Sequence, residues 1–255
     1  MLQRFKPLIW PAFFTVLVCA LLVSLGLWQL RRLAWKEALI ARIEQRTKAP
    51  ASPLPRLADW PHLDPEAYEY RHVALIGSFD HMEEALIFRG TGGGTTGLRQ
   101  PGYLVLTPFR LSSGGTVIIN RGFVPLDRKD PSQRVEGQIV GEQHLTGLMR
   151  APEPRNLFTP ADDPAKGQYF TRDPGLIAAH FGLTQAAPFT IDLDDVPVPG
   201  GWLKAGTTEI AFPNNHLSYA LTWFGLAAAL LGVFTAFAWR KLREWHKPCS
   251  STAST

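Results

Sequence analysis

The chain has almost no cysteine. Of its 255 residues only Cys19 and Cys249 carry a thiol. Cys19 lies inside a long apolar run and Cys249 in the C-terminal tail, so neither staples the middle of the chain, and no Cys-x-x-Cys pair offers a soft metal site. A thiol-based copper or zinc carrier is excluded on that ground. The central stretch, about 185 residues, must fold by burial alone, and it is long enough to do so. Catalytic spacings are missing too. His62, His72, His81, His144 and His180 are scattered, with neither H-x-x-x-H nor H-E-x-x-H among them. There is no G-x-S-x-G elbow, although a hydrolytic triad assembles in space rather than in sequence.

Charge of one sign is also scarce where it would matter for nucleic acid. The net charge is +4, from 26 Lys/Arg and 22 Asp/Glu. Six of the basic residues (Arg4, Lys6, Arg240, Lys241, Arg243, Lys247) and one acid (Glu244) flank the chain ends, which leaves 20 and 21 between them. The middle is near neutral, and no nucleic-acid partner is expected. The surplus sits beside apolar runs, which is a signal of membrane topology.

What the sequence does have is two long uncharged stretches. Residues 8–28 and 217–239 carry no charge over 21 and 23 residues. At about 1.5 Å per residue, helices of that length cross a hydrocarbon core of about 30 Å. The first is too long for the apolar region of a signal peptide, has no A-x-A site and is flanked by Trp10 and Trp28, so it reads as a retained anchor in the lipid bilayer. The expected organisation is a cytoplasmic tail (1–7), a first span (8–30), a helical extension and proline-rich linker (31–55), a periplasmic β-rich domain (56–213), a second span (214–239) and a basic cytoplasmic tail (240–255). Asn214 and Asn215 are suited to cap the second helix.

Between the spans, short apolar segments at 73–76, 85–88, 103–107, 116–120, 142–148 and 189–192 are bounded by Gly, Pro, Asp and Ser. One helical pattern, 174–181, stands among them. With no βαβ alternation, the expected fold is an α+β membrane protein: two transmembrane helices flanking a mainly antiparallel, barrel-like sheet. The glycine-rich segment 90–97 lacks the Lys-Ser/Thr of a phosphate loop and reads as a hairpin loop. Glu83-Glu84 and Asp192/Asp194/Asp195 read as solvated acidic runs at strand ends. Asn120-Arg121-Gly122-Phe123-Val124-Pro125 stays open between a cation offered to a partner and a salt-bridged turn.

These pieces, taken in order, resemble the surfeit-locus protein family of cytochrome c oxidase assembly factors. The match runs from Gly26-x-Trp28-Gln29-x-x-Arg32-Leu33-x-Trp35-Lys36 through Tyr70-Arg71-x-Val73, Gly102-Tyr103 and Thr107-Pro108. It continues with Asn120 to Pro125, Pro131 and Arg134, Gly147-x-x-Arg150, Arg172-Asp173 and Ala178. It closes on Asn215-His216-Leu217-x-Tyr219 and Thr222-Trp223-x-Gly225-Leu226. Tyr169, where the family often has Trp, and Asp163-Pro164, where Asn-Pro is common, depart from it. The resemblance implies a non-enzymatic inner-membrane protein that works where heme enters subunit I of the oxidase, and a bacterial membrane is expected because nothing resembling a mitochondrial presequence precedes the first span. Expected partners are subunit I and heme a synthase. It further implies that heme a is held by His216, with Tyr219 and Trp223 around it. Trp28, Gln29, Arg32, Arg121, Gly122 and Gly225 are the motif or partner residues. No metal is expected beyond heme iron.

Imidazole is a common axial ligand of heme iron. His216, Ala220, Trp223 and Ala227 share one helical face, where alanines leave room and Trp223 gives a flat wall. Arg31, Arg32 or Arg121 are available for the propionates. The plain alternative is an interfacial histidine bonded to a loop carbonyl. Small residues at Gly225/Ala229, Ala228/Gly232 and Ala20/Ser24 suit close helix packing, either between the two spans or against subunit I. Two further readings remain open: a heme-free scaffold for subunit I, and an enzyme with its site in the outer domain, which needs convergent titratable groups in a pocket.

Overall fold

In a computed structural model the described residues are 6–90, 100–195, 197–206 and 214–245. Residues 91–97 of the glycine-rich segment lie outside them. The elements in chain order are α1 (Lys6–Thr47), β1 (Ser52–Pro53), α2 (Pro65–Tyr68), β2 (His72–Phe79), β3 (Ala85–Arg89), β4 (Gly102–Leu111), β5 (Thr116–Pro125), β6 (Gln143–Arg150), β7 (Gln168–Tyr169), α3 (Pro174–His180), β8 (Ala186–Leu193) and α4 (His216–Trp245). They form two units, one from described residues within 1–41 and 213–255, the other from those within 42–212.

The helical unit is made by the two uncharged runs. α1 has 42 residues and α4 has 30, so both exceed the length needed to cross a bilayer. Their side chains are apolar and turned outward. Trp10, Phe13, Phe14, Leu17 and Leu21 on α1, and Leu217, Leu221, Leu226 and Val233 on α4, are exposed. Both helices qualify as membrane spans by length and composition, and the protein is membrane-anchored through them. The residues turned inward follow a different rule. On α1, Thr15, Cys19, Leu22, Gly26 and Gln29 are buried or half-buried, in alternating steps of four and three. On α4, His216, Ala220, Trp223, Ala227, Leu230 and Phe234 repeat the same steps. A 3.5-residue repeat on two facing helices is a knobs-into-holes seam. The pairing is antiparallel: Gln29 meets His216, and Cys19 meets the Ala227 carbonyl. Gly26 packs directly against α4, since a Cβ there would lie 2.5 Å from the Phe224 ring.

The second unit is a sheet of eight strands ordered β1-β2-β6-β8-β5-β4-β3-β7, in which β2 also pairs with β4. That extra pairing, Gly77 to Phe79 against Leu111 to Phe109, closes five strands into a barrel. Neighbours are antiparallel except for β5–β8 in the ring and the short β1–β2 and β3–β7 pairs outside it. Numbered along the chain, the ring strands run 1-2-3-5-4, a Greek-key closure of the kind small OB-type barrels use. This establishes architecture and nothing about function. The barrel interior holds Val73, Leu75, Phe109, Val117, Ile119, Met149, Phe189 and Ile191. Trp60 and Tyr68 pack their rings on Phe189. The opposite faces of β4 and β5 are covered as well: Leu104, Leu106 and Ile118 pack with Ile177 and Ala178 of α3. Burial on both faces is why these strands read as unbroken apolar runs instead of alternating ones.

The expected strands and the helix at 174–181 are all present. Not anticipated are the one-turn α2 and the two-residue strands β1 and β7.

Candidate functional site

Within the helical unit the residue of interest sits at the first position of α4. His216 is half-buried, and its Nδ1 lies 2.7 Å from Oε1 of Gln29 on α1. With the amide oxygen of Gln29 facing the ring, which only accepts, Nδ1 is the protonated nitrogen and donates. Nε2 is then the lone-pair nitrogen, and it has no partner among the described residues. A second polar atom nearby in sequence, Oδ1 of Asn214, is buried and also has no hydrogen bond among the described residues. A neutral imidazole anchored through one nitrogen and open at the other is the donor that a heme iron takes, so the residues present fit such a group.

The other residues named for this site separate into two groups. Trp223 is half-buried on the same seam as His216. Tyr219 is 56 % exposed and points away from it. The space beneath Ala220 and Ala227 is filled by α1, since both alanines are buried against the seam. The stretch of the seam from Ala220 to Ala227 therefore leaves no room for a porphyrin, which corrects the expectation that those alanines make space for one. Gly225 and Gly232 are open, since a methyl group added to either would meet nothing within 4 Å, and Ala228 and Ala229 are exposed. The small residues of α4 at these positions do not join the two helices. On α1, Trp28 is exposed, and Arg32 is exposed with its guanidinium 4.0 Å over the Trp35 ring.

In the barrel unit, Asn120-Arg121-Gly122-Phe123 proves to be a β-bulge. Leu104 pairs with Phe123 and Leu106 with Asn120, so Arg121 and Gly122 stand opposite Val105 alone. Gly122 takes φ +126, and a Cβ there would overlap the Lys204 carbonyl. Its N–H donates to Oδ1 of Asn120 at 3.1 Å, while Nδ2 of Asn120 donates to Asp192 at 2.8 Å. The motif thus ties the bulge to the next barrel strand.

Arg121 is not a surface cation, contrary to one of the expectations above. The bulge turns it inward, where its side chain is 3 % exposed. Its guanidinium donates to the Gly137 carbonyl and contacts Glu84 at 3.3 Å and Nδ1 of His81 at 3.2 Å. Arg134 is fully buried and grips the same Glu84 with both of its terminal nitrogens. Burial pulls Arg121 down to about 10, Glu84 opposes that, and Arg134 adds to it. His81 is lowered by burial and by Arg121 against the pull of the Ile139 carbonyl, to which Nε2 donates at 2.8 Å. Arg121 is therefore withdrawn from any propionate or partner.

A second buried network gathers motif residues from four stretches. Asp192, 3 % exposed, receives Arg150 at 2.8 Å, Arg172 at 3.2 Å and Asn120. Arg150 also holds Glu69 at 2.9 Å, and Arg172 and Arg89 hold Glu153. Burial works against charge on Arg150, but Asp192, Tyr70 and Glu69 more than offset it and its pKa rises. Asp192 and Glu84 correct the reading of both acidic runs as solvated, because each neutralises arginines brought from distant parts of the chain. Asp194 is likewise engaged, by His72 at 2.8 Å and by Thr146.

Two clefts formed by described residues of this unit gather no free catalytic groups. One, about 830 Å³ beside Leu54, Trp60, Leu75 and Leu111, has Arg56 and Glu142 as its ionisable residues. Another, about 440 Å³, is lined by His81, Glu84, Lys129 and Asp130. There His81 and Glu84 are already bonded, and Asp130 caps the N–H of Ser132. No group of three or more metal-ligating side chains occurs among the described residues.

A chain with two apolar spans and a closed β-barrel domain, whose recognisable motifs serve buried ion networks and one helix–helix contact, is a membrane-anchored protein built around fixed polar hubs. Comparison with known proteins gives the family. The SURF1 family model matches residues 16–228. Surfeit locus protein 1 of Mus musculus is 37 % identical over 237 residues, covering 89 % of this chain and 73 % of the mouse protein. That of Homo sapiens is 37 % identical over 230 residues, covering 86 % and 72 %. A SURF1-like protein of Drosophila melanogaster is 34 % identical over 251 residues, covering 93 % and 78 %. The chain belongs to the SURF1 family.

Proposed function

We infer that this protein is an assembly factor for cytochrome c oxidase that assists the insertion of heme a into subunit I, holding heme a as cargo through His216. The observation that carries this reading is the anchored imidazole: Nδ1 is committed to Gln29 at 2.7 Å, and Nε2, without a partner among the described residues, is the nitrogen for iron. Trp223, on the same seam, is half-buried further along the helix. Tyr219, exposed on α4, is available to the cargo from outside the seam. The protein acts by binding and hand-over, without turnover. It sits in a bacterial inner membrane with both termini cytoplasmic and the barrel domain periplasmic, beside subunit I and heme a synthase.

The test is expression together with heme a biosynthesis, followed by optical spectra of the purified wild type and of His216→Ala. Heme a in the wild type and its loss in the variant are expected. Unchanged stoichiometric heme in His216→Ala removes the histidine from this role. A second reading is favoured by the outward-facing Gly225 and Gly232: a heme-free scaffold that offers this stripe of α4 to a helix of subunit I. It predicts co-purification with subunit I and no heme spectrum in the wild type.

A further inference from the structure

On α1, the seam residues from Thr15 to Gly26 present a hydroxyl, a thiol, a leucine and a glycine, and the next seam position presents a carboxamide to the first residue of α4. The hydrogen bond there joins residues 187 positions apart, at 2.7 Å, and both side chains are half-buried. Three residues earlier, Gly26 admits the Phe224 ring of α4, with no space for a side chain of its own. Gln29 thereby reaches the imidazole from the neighbouring helix. The flanking residues Trp28 and Leu30 on α1 are exposed and take no part.

We propose that Gln29 is a positioning residue for the heme cargo: its side-chain carbonyl accepts the Nδ1–H of His216, fixes the imidazole in the Nδ1-protonated tautomer and sets the ring plane, so that Nε2 is the ligating nitrogen. This rests on the reading of His216 as an iron ligand. Partners of a ligating histidine at its second nitrogen set tautomer, orientation and basicity, and their removal typically lowers metal affinity by about 10–100-fold. The opposite arrangement, an amide N–H donated to an unprotonated Nδ1, would put the proton on Nε2 and block ligation.

The experiment uses the full-length protein in detergent, with and without heme a biosynthesis, as wild type, Gln29→Leu, Gln29→Glu and His216→Ala. In the heme-free wild type, nitrogen-15 spectra of labelled histidine should show His216 protonated at Nδ1 and not at Nε2. Gln29→Leu should lose about 10–100-fold in heme affinity. Gln29→Glu should keep the heme and move its midpoint potential to a more negative value, since a carboxylate acceptor makes the imidazole a stronger donor. A merely structural hydrogen bond would not move that potential. Cross-linking of Cys19 to an introduced Ala227→Cys, equal in all Gln29 backgrounds, shows that the helix seam is intact. A proton on Nε2 of the heme-free wild type overturns the proposal. So does wild-type affinity and potential in both Gln29 variants while His216→Ala is empty, an outcome that leaves the ligand assignment standing. Heme retained in His216→Ala, or absent from the wild type, overturns the ligand assignment and the positioning role together.

Discussion

Replacing Glu84 by Gln isolates the most exposed assumption about the barrel domain, that one carboxylate balances two buried guanidinium groups. The side chains of Arg134, Arg121 and Glu84 are 0 %, 3 % and 6 % exposed. Glu84 is the one carboxylate in ion-pair contact with both arginines among the described residues. Glutamine keeps the volume and one acceptor oxygen but removes the charge, leaving two like charges facing each other in a dry site. Breaking one buried pair in this way costs about 3–5 kcal/mol. Losing the shared partner of two pairs is not additive, so about 4 kcal/mol is a fair figure for the change. For a unit of this size, about 2–4 °C per kcal/mol, the midpoint of thermal unfolding should fall by about 8–16 °C. The assay is thermal denaturation of the full chain in detergent, followed by near-ultraviolet circular dichroism. Glu44→Gln is the control, since the pair it breaks, Glu44–Lys48 at 3.6 Å, is exposed at 61 % and 78 %. That change should cost less than about 1 kcal/mol. Adding Arg121→Met to Glu84→Gln removes one of the two stranded charges and should recover part of the loss. A Glu84→Gln protein that melts with the wild type, or a double variant less stable than the single one, refutes the charge balance.

Three other outcomes follow from the same contacts. Gly122→Ala forces a Cβ into the Lys204 carbonyl at φ +126, and should cost about 3 kcal/mol or more, read as a lower unfolding midpoint. When protonated, His72 donates from both nitrogens, to the Ala49 carbonyl and to Asp194, each at 2.8 Å. Burial opposes its charge, but these two acceptors outweigh burial and raise its pKa above 6.5. The stabilisation is therefore complete below the unfolded value and is lost as pH rises through the folded one. Accordingly, urea titrations should show His72→Gln further below the wild type at about pH 5.5 than at about pH 8.5. Ala227→Cys should cross-link to Cys19 within one chain, because the Cys19 sulfur lies 3.8 Å from the Ala227 carbonyl. Gly26→Leu should suppress that cross-link by pushing against the Phe224 ring.

How much of this the sequence reveals depends on how far apart the interacting residues lie. The spans, the strands and the barrel-like class follow from local patterns: unbroken apolar runs, and short β-rich segments between turn residues. Ring closure through Gly77 to Phe79 against Phe109 to Leu111 leaves no local mark, because any edge strand has the same pattern before it finds its partner. Buried charge escapes a reading of the sequence for the same reason. Glu84 looks like half of a surface Glu-Glu run until Arg134, 50 residues away, is seen to hold it. Asp192 looks like the head of an acidic cluster until Arg150, Arg172 and Asn120 converge on it. The Asn-Arg-Gly-Phe motif hides a bulge because bulges are defined by the partner strand. The face of α4 is legible as a single stripe through His216, Ala220, Trp223 and Ala227. What covers it is not, because alanines that make room for a cofactor and alanines that admit another helix are spelled alike. The signal that decides between them is on α1: Thr15, Cys19, Leu22, Gly26 and Gln29 keep the same four-three steps.

That repeat also bears on what the Gln29–His216 bond is for. Polar bonds between membrane helices average about 0.6 kcal/mol, a small fraction of what close packing along a seam supplies. The contacts that hold α1 to α4 are visible elsewhere: Gly26 beneath the Phe224 ring, and Ala220 and Ala227 buried at 0 % and 5 %. A polar fastener gains most in the apolar centre of a span, where an unpaired group has no water to turn to. This pair is at the end of the seam, on the first residue of α4, and both side chains are only half-buried, so the net gain of the hydrogen bond is small. Evaluated as adhesion, the bond is poorly placed. As a constraint on one ring it is well placed, because it reaches His216 from a second helix and acts on the single nitrogen that decides which tautomer exists. Helix association and imidazole orientation are therefore separable properties of this protein, and a leucine at position 29 should remove the second while leaving the first in place.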